Sequence, residues 1–111
     1  MESILTSIKK LLGITEECKD FDDDIIIHIN SEFIILNQIG VGPTEVFSIE
    51  DDGSVWEDFI QPTDNLQSVK TFIYLKVKLL FDPPLSGAVM ESTNKLINEL
   101  EWRLNVEAES K

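Results

Sequence analysis

The chain has 111 residues, which suits one domain, because at this size folding hides roughly 65% of the surface that the unfolded chain exposes. Its hydrophobic content of 42% favours folding over disorder, no apolar run approaches a membrane span, and the N-terminus lacks a signal-peptide pattern. The net charge is −12, and residues 1–64 carry 15 acidic and 3 basic side chains against 6 and 6 in residues 65–111, so the basic footprint of a nucleic-acid-gripping protein is missing.

Four principal helices and one acidic excursion are expected. The first covers about residues 3–12, with Ile4, Leu5, Ile8, Leu11 and Leu12 at helical spacing and Gly13 placed to stop it. An acidic connection from Thr15 to Phe21 follows. The second helix begins after Asp22 or Asp23, which offer an N-cap and negative charge where the helix dipole favours it. Ile26, Ile29, Phe33 and Leu36 form one face, and Gly40 and Gly42-Pro43 end the helix. Residues 40–63 are loop-rich. Within them, Ser54 and Glu57 match a capping box ahead of a short helix from Val55 to Ile60, while Val46 to Ile49 before Asp52-Gly53 permits a small hairpin instead.

The third helix covers about 65–81, opened by Asp64 and Gln67 as a second capping-box pair. Leu66, Val69, Ile73, Val77 and Leu80 share one face, with Phe72, Leu75 and Leu79 widening it, so this is the central helix. Pro83 restricts Asp82 and stops the helix near Phe81. The fourth runs from Ser86 to about Glu107, roughly 33 Å long at 1.5 Å per residue. Val89, Met90, Thr93, Leu96, Ile97, Leu100 and Leu104 lie on one face, and charges alternating at i,i+4 spacing cover another. The fold class is therefore all-α, a small bundle of about four helices in a single domain spanning residues 1–111.

Little in the chain is suited to catalysis. His28 is the single histidine, and a surface pair with Glu32 is its ordinary explanation. Cys18 stands among Glu16, Glu17 and Asp20, whose charge opposes a thiolate, and as a lone cysteine it fits a reducing cytosol. Glu50-Asp51-Asp52-Gly53 fails as a calcium loop, since Phe59 falls where a bidentate glutamate belongs. No phosphate-binding glycine pattern occurs and zinc ligands are too few, so neither a metal nor a cofactor is expected, and no enzyme.

The aromatic and branched residues are more informative. Trp102 lies about 200° around its helix from Leu100, opposite the packing stripe and near Val106, which marks either a lone exposed tryptophan or a protein contact. Ile27 and Ile34 share a line about 150° from Ile29, to be covered by another part of the chain or by a partner. Trp56 and Phe59 either staple the acidic excursion to the core or form an exposed anchor.

Ordered segments along the chain carry a resemblance. They are Leu11-Leu12-Gly13-Ile14-Thr15, the run from Asp24 to Ser31, Gly40-Val41-Gly42-Pro43, Trp56-Glu57-Asp58-Phe59, the run from Val69 to Lys76, Leu80-Phe81-Asp82-Pro83-Pro84, and Glu99 to Asn105. From about residue 3 to 107 the sequence resembles the small head–tail connector (adaptor) proteins of long-tailed phages and prophages of Gram-positive bacteria. The resemblance implies a virion subunit, made in the host cytoplasm, that joins a twelvefold ring beneath the portal protein. That ring would extend the DNA channel without binding DNA specifically and would dock a downstream stopper or tail-completion protein, with no membrane involved. It carries over no catalytic residues. Trp102, Val106, Ile27, Ile34, Trp56 and Phe59 are the interface candidates, and Glu50, Asp51 and Asp52 are candidates for facing the channel. An acidic DNA-mimic or protein-binding inhibitor of phage origin is the alternative that the charge allows.

Overall fold

A computed structural model describes residues 2–60 and 66–109. Among them are five helices, α1 (Ile4–Leu11), α2 (Asp22–Gln38), α3 (Trp56–Phe59), α4 (Leu66–Phe81) and α5 (Gly87–Glu109), and no strands. The all-α expectation holds, and the short helix of the acidic excursion forms in place of the hairpin. Asp64, half of the second expected capping box, lies outside the described residues.

Local chemistry explains the helix ends. The Thr6 N–H donates to the Ser3 hydroxyl at 3.2 Å, satisfying one of the free donors of the first turn of α1. The start of α2 differs from expectation. Phe21 is its N-cap without any side-chain bond, and Asp22, Asp23 and Asp24 all fall in the first turn. Asp22 is drawn away from capping by Lys9, whose Nζ stands 2.8 Å from its carboxylate. The capping box of α3 is likewise shifted by one residue. It is the Asp58 carboxylate that accepts from the Val55 N–H at 3.0 Å. Ser54 serves elsewhere, its carbonyl accepting the Ile4 N–H at 3.0 Å beside an isolated antiparallel bridge between Ser3 and Val55.

Helix α4 is central. It packs against α2 on one side and α5 on the other, with α1 lying against both α2 and α4. Val69, Phe72, Ile73 and Val77 of α4 meet Ile25, Ile29, Phe33 and Leu36 of α2 and Ile4, Leu5 and Ile8 of α1 in one buried cluster. The excursion is sewn into this core at three places. The Asn30 amide pairs with the backbone of Ile49, accepting its N–H at 2.8 Å and donating to its carbonyl at 2.9 Å, as a strand neighbour would. Phe33, Phe47 and Phe59 form an aromatic cluster with centroids 4.6 to 5.5 Å apart. Trp56 donates from Nε1 to the Ser7 hydroxyl at 2.8 Å inside the core. Gly42 makes the approach possible. Its φ is +89°, and a Cβ there would stand 2.5 Å from the Phe59 ring.

Helix α5 corrects the sequence reading. Only Ile97 and Leu104 of its expected face are buried, with Leu100 half-buried, while Val89 and Leu96 are exposed. The spacing that put these residues on one face is real, but α4 is the one helix that packs extensively on α5 among the described residues. A continuous stripe needs a second neighbour along its whole length, and the first half of α5 lacks one.

Candidate assembly surfaces

No described helix is long and apolar enough to cross a membrane, and no described group of three or more His, Cys, Asp or Glu side chains could hold a metal ion. His28 lies half-buried on α2 and lines none of the hollows described below. Its expected partner Glu32 is turned inward instead.

Glu32 is a feature the sequence did not announce. Its side chain is only 2% exposed, its Oε1 has no hydrogen-bond partner, and the Lys76 ammonium on α4 stands 3.8 Å away. Burial pushes its carboxyl above the ordinary glutamate range; Lys76 opposes that shift and Glu101 on α5 reinforces it. The sign for stability follows. The folded state holds this proton more tightly than the unfolded chain, so the contribution is fully present at acid pH and is lost as pH rises through the raised value. Glu32→Gln should therefore gain stability relative to the native chain as pH is raised from about 4 to about 7. Urea denaturation of both proteins across that range checks it, and a difference that stays constant with pH would refute the assignment.

The interface candidates divide cleanly. Trp56 and Phe59 are 1% and 4% exposed, so the stapling alternative is realised and neither is available to a partner. Ile27 and Ile34 are exposed along the outer side of α2, which corrects the expectation that another part of the chain could cover them. Trp102 is 65% exposed, about 160° around α5 from buried Leu104, and Val106 is exposed on the same helix. These apolar positions lie on two different helices, each more than a third of a turn around from the buried face of its own helix. A third exposed group lies around the α4–α5 turn, Leu85 together with Leu80 and Val89, which corrects the expectation that the latter two belong to the packing faces of their helices. Pro83 and Pro84 hold this turn open, and Leu85 at its tip is wholly exposed.

The charged candidates gather as well. Glu50, Asp51 and Asp52 are exposed and share a hollow of about 260 Å³ with Asp22, Asp23, Lys19, Leu5 and Ile26. Lys19 is the one cation in this lining, and it stands 4.0 Å from Asp52. The exposed surface of the described residues thus combines apolar side chains on α2, α5 and the α4–α5 turn with this acidic hollow. A family model described as "Phage connector protein" matches residues 4–111. The chain belongs to the phage connector protein family. Neither a curated protein nor a solved structure matches it. The resemblance carried by the ordered packing segments is therefore correct at the level of the family, and the connector's role is structural, as a component of the phage particle.

Proposed function

We propose that this connector is a ring-forming subunit at the head–tail junction, seated beneath the portal protein and surrounding the path of the DNA. The observation supporting it is the exposure of large apolar side chains on two different helices of one subunit, Ile27 with Ile34 on α2 and Trp102 on α5. A cyclic ring uses two unlike patches per subunit, whereas a twofold dimer uses one patch twice. Tryptophan is also the side chain most enriched at the energetic centres of protein contacts. A ring stacked between other components needs axial surfaces too, and the apolar tip at Leu80, Leu85 and Val89 is available for one of them. Excess negative charge accords with a channel through which DNA moves without adhering.

The test is to mix the purified protein with rings of its cognate portal and image the complexes. Stacked rings should form with the native chain. Trp102→Asp and Ile27→Asp should each reduce ring formation by at least about tenfold, as expected for a substitution costing 1.4 kcal/mol or more at an interface centre, while leaving the helical circular dichroism signal unchanged. Absence of portal binding by the native protein, under conditions that permit tail attachment, would overturn the reading.

A further inference from the structure

A second hollow, of about 460 Å³, lies between α1 and the first half of α4. Lys10 and Lys70 flank it, and Leu11, Thr71 and Tyr74 form much of its wall. In a chain with 21 acidic and 9 basic residues this concentration of cations is unusual. Lys70 is held 2.7 Å from the half-exposed Glu2 carboxylate and over the Trp56 ring, while Lys10 has no ion pair among the described residues. Within this groove two lysines thus face one carboxylate, although Lys10 also borders a neighbouring hollow that Glu16 and Glu17 line. The site already favours carboxylates: Glu2 is held below the ordinary glutamate range, chiefly by its hydrogen bond from Lys70, with Lys10 adding to the attraction.

The acidic hollow lies on the other flank of α1. Leu5 lines the acidic hollow, whereas Ser7, Lys10 and Leu11 line the groove, and these stand about 120–160° around the helix from Leu5. One copy therefore presents a cationic groove and an anionic hollow on opposite sides of the same helix. Such surfaces cannot satisfy one another within a subunit. They can do so between copies placed head to tail. The acidic hollow also continues into the α2 surface, since Asp23 and Ile27 are four residues apart on one helical line and Ile26 is shared with the hollow.

We infer that the Lys10–Lys70 groove of one connector subunit receives the exposed acidic turn carrying Glu50 and Asp52 of a second copy. This rests on the ring reading and identifies a charged contact that fixes the order of neighbours. It also takes Glu50 and Asp52 out of a free channel wall and places them at a subunit boundary.

Charge reversal on each side tests it. One variant carries Glu50→Lys with Asp52→Lys; the other carries Lys10→Glu with Lys70→Glu. Asp51 is left unchanged because its carboxylate accepts the Gly53 N–H at 2.8 Å and shapes the turn. Alone, each variant opposes like charges at every contact, so ring formation on portal should fall about tenfold or more, the product of two or three exposed pairs. An equimolar mixture restores opposite charges at every boundary between unlike subunits and should recover rings to the native level. This recovery also shows that both variants are folded. Native rings should weaken as salt rises from about 0.05 to 0.5 M, where screening shortens to a few ångströms. Variants that form rings alone as well as the native chain, changing only DNA passage, would overturn the inference and leave the ring intact. A mixture no better than its components would also overturn it. Failure of the native chain to form rings on portal would remove the ring reading itself.

Discussion

Replacing Lys9 by Met should destabilise the protein by about 3–5 kcal/mol, a large share of the 5–15 kcal/mol that holds a typical domain together. Lys9 is 2% exposed, on the inner side of α1. Its ammonium donates to the carbonyls of Glu16, at 3.2 Å, and Cys18, and stands 2.8 Å from the Asp22 carboxylate. One cation thereby closes the acidic connection between α1 and α2 and tethers the start of α2. Methionine keeps the apolar stem but leaves the Asp22 carboxylate, 17% exposed, without its counter-charge. Thermal unfolding should move down by more than about 12 °C, and amide exchange at residues 15–22 should rise before that of the core. An unchanged melting temperature would mean that the charges find water instead.

Trp56→Ala should have an effect of similar size, about 3–5 kcal/mol, because it empties the largest fully buried side chain volume and removes the partner of Ser7. Trp56→Phe should cost less, about 1–3 kcal/mol, since much of the packing survives and the lost hydrogen bond dominates. The Ser7 hydroxyl still donates to the Ile4 carbonyl at 3.0 Å in that variant. Chemical denaturation of the two variants separates packing from polar satisfaction. Equal losses would assign the whole contribution of Trp56 to its hydrogen bond.

The sequence discloses what depends on local pattern and conceals what depends on neighbours. Gly13 and Pro83 mark helix ends because positive φ and steric restriction act within a few residues. The α4 face is legible from Val69 to Val77 because the helix is apolar around most of its girth, whereas Leu80, expected on the same face, lies beyond its neighbours and is exposed. The first half of α5 was misread because periodicity assigns residues to a face without saying whether another helix reaches it. Lys9 and Glu32 were missed for a related reason. Lysine and glutamate are ordinarily exposed, and neither the backbone carbonyls that Lys9 satisfies nor the α4 lysine beside Glu32 has a sequence signature. Trp102 and Ile27 could be identified as candidates because their helical phase opposed that of the buried residues. Trp56 and Phe59 lie in a short helix where phase means little, so both outcomes stayed open until Gly42, Phe33 and Ser7 were seen around them.

The uneven burial of α5 divides the helix into a part anchored in the core and a part whose apolar side chains are only partly covered. Ile97 and Leu104 anchor the distal stretch, whereas the segment from Gly87 to Leu96 buries no side chain fully, Met90 and Thr93 being half-buried. A neighbour that covers the exposed Val89 and Leu96 adds contact energy without displacing the buried Ile97 and Leu104, so assembly and folding can be tuned separately along a single helix.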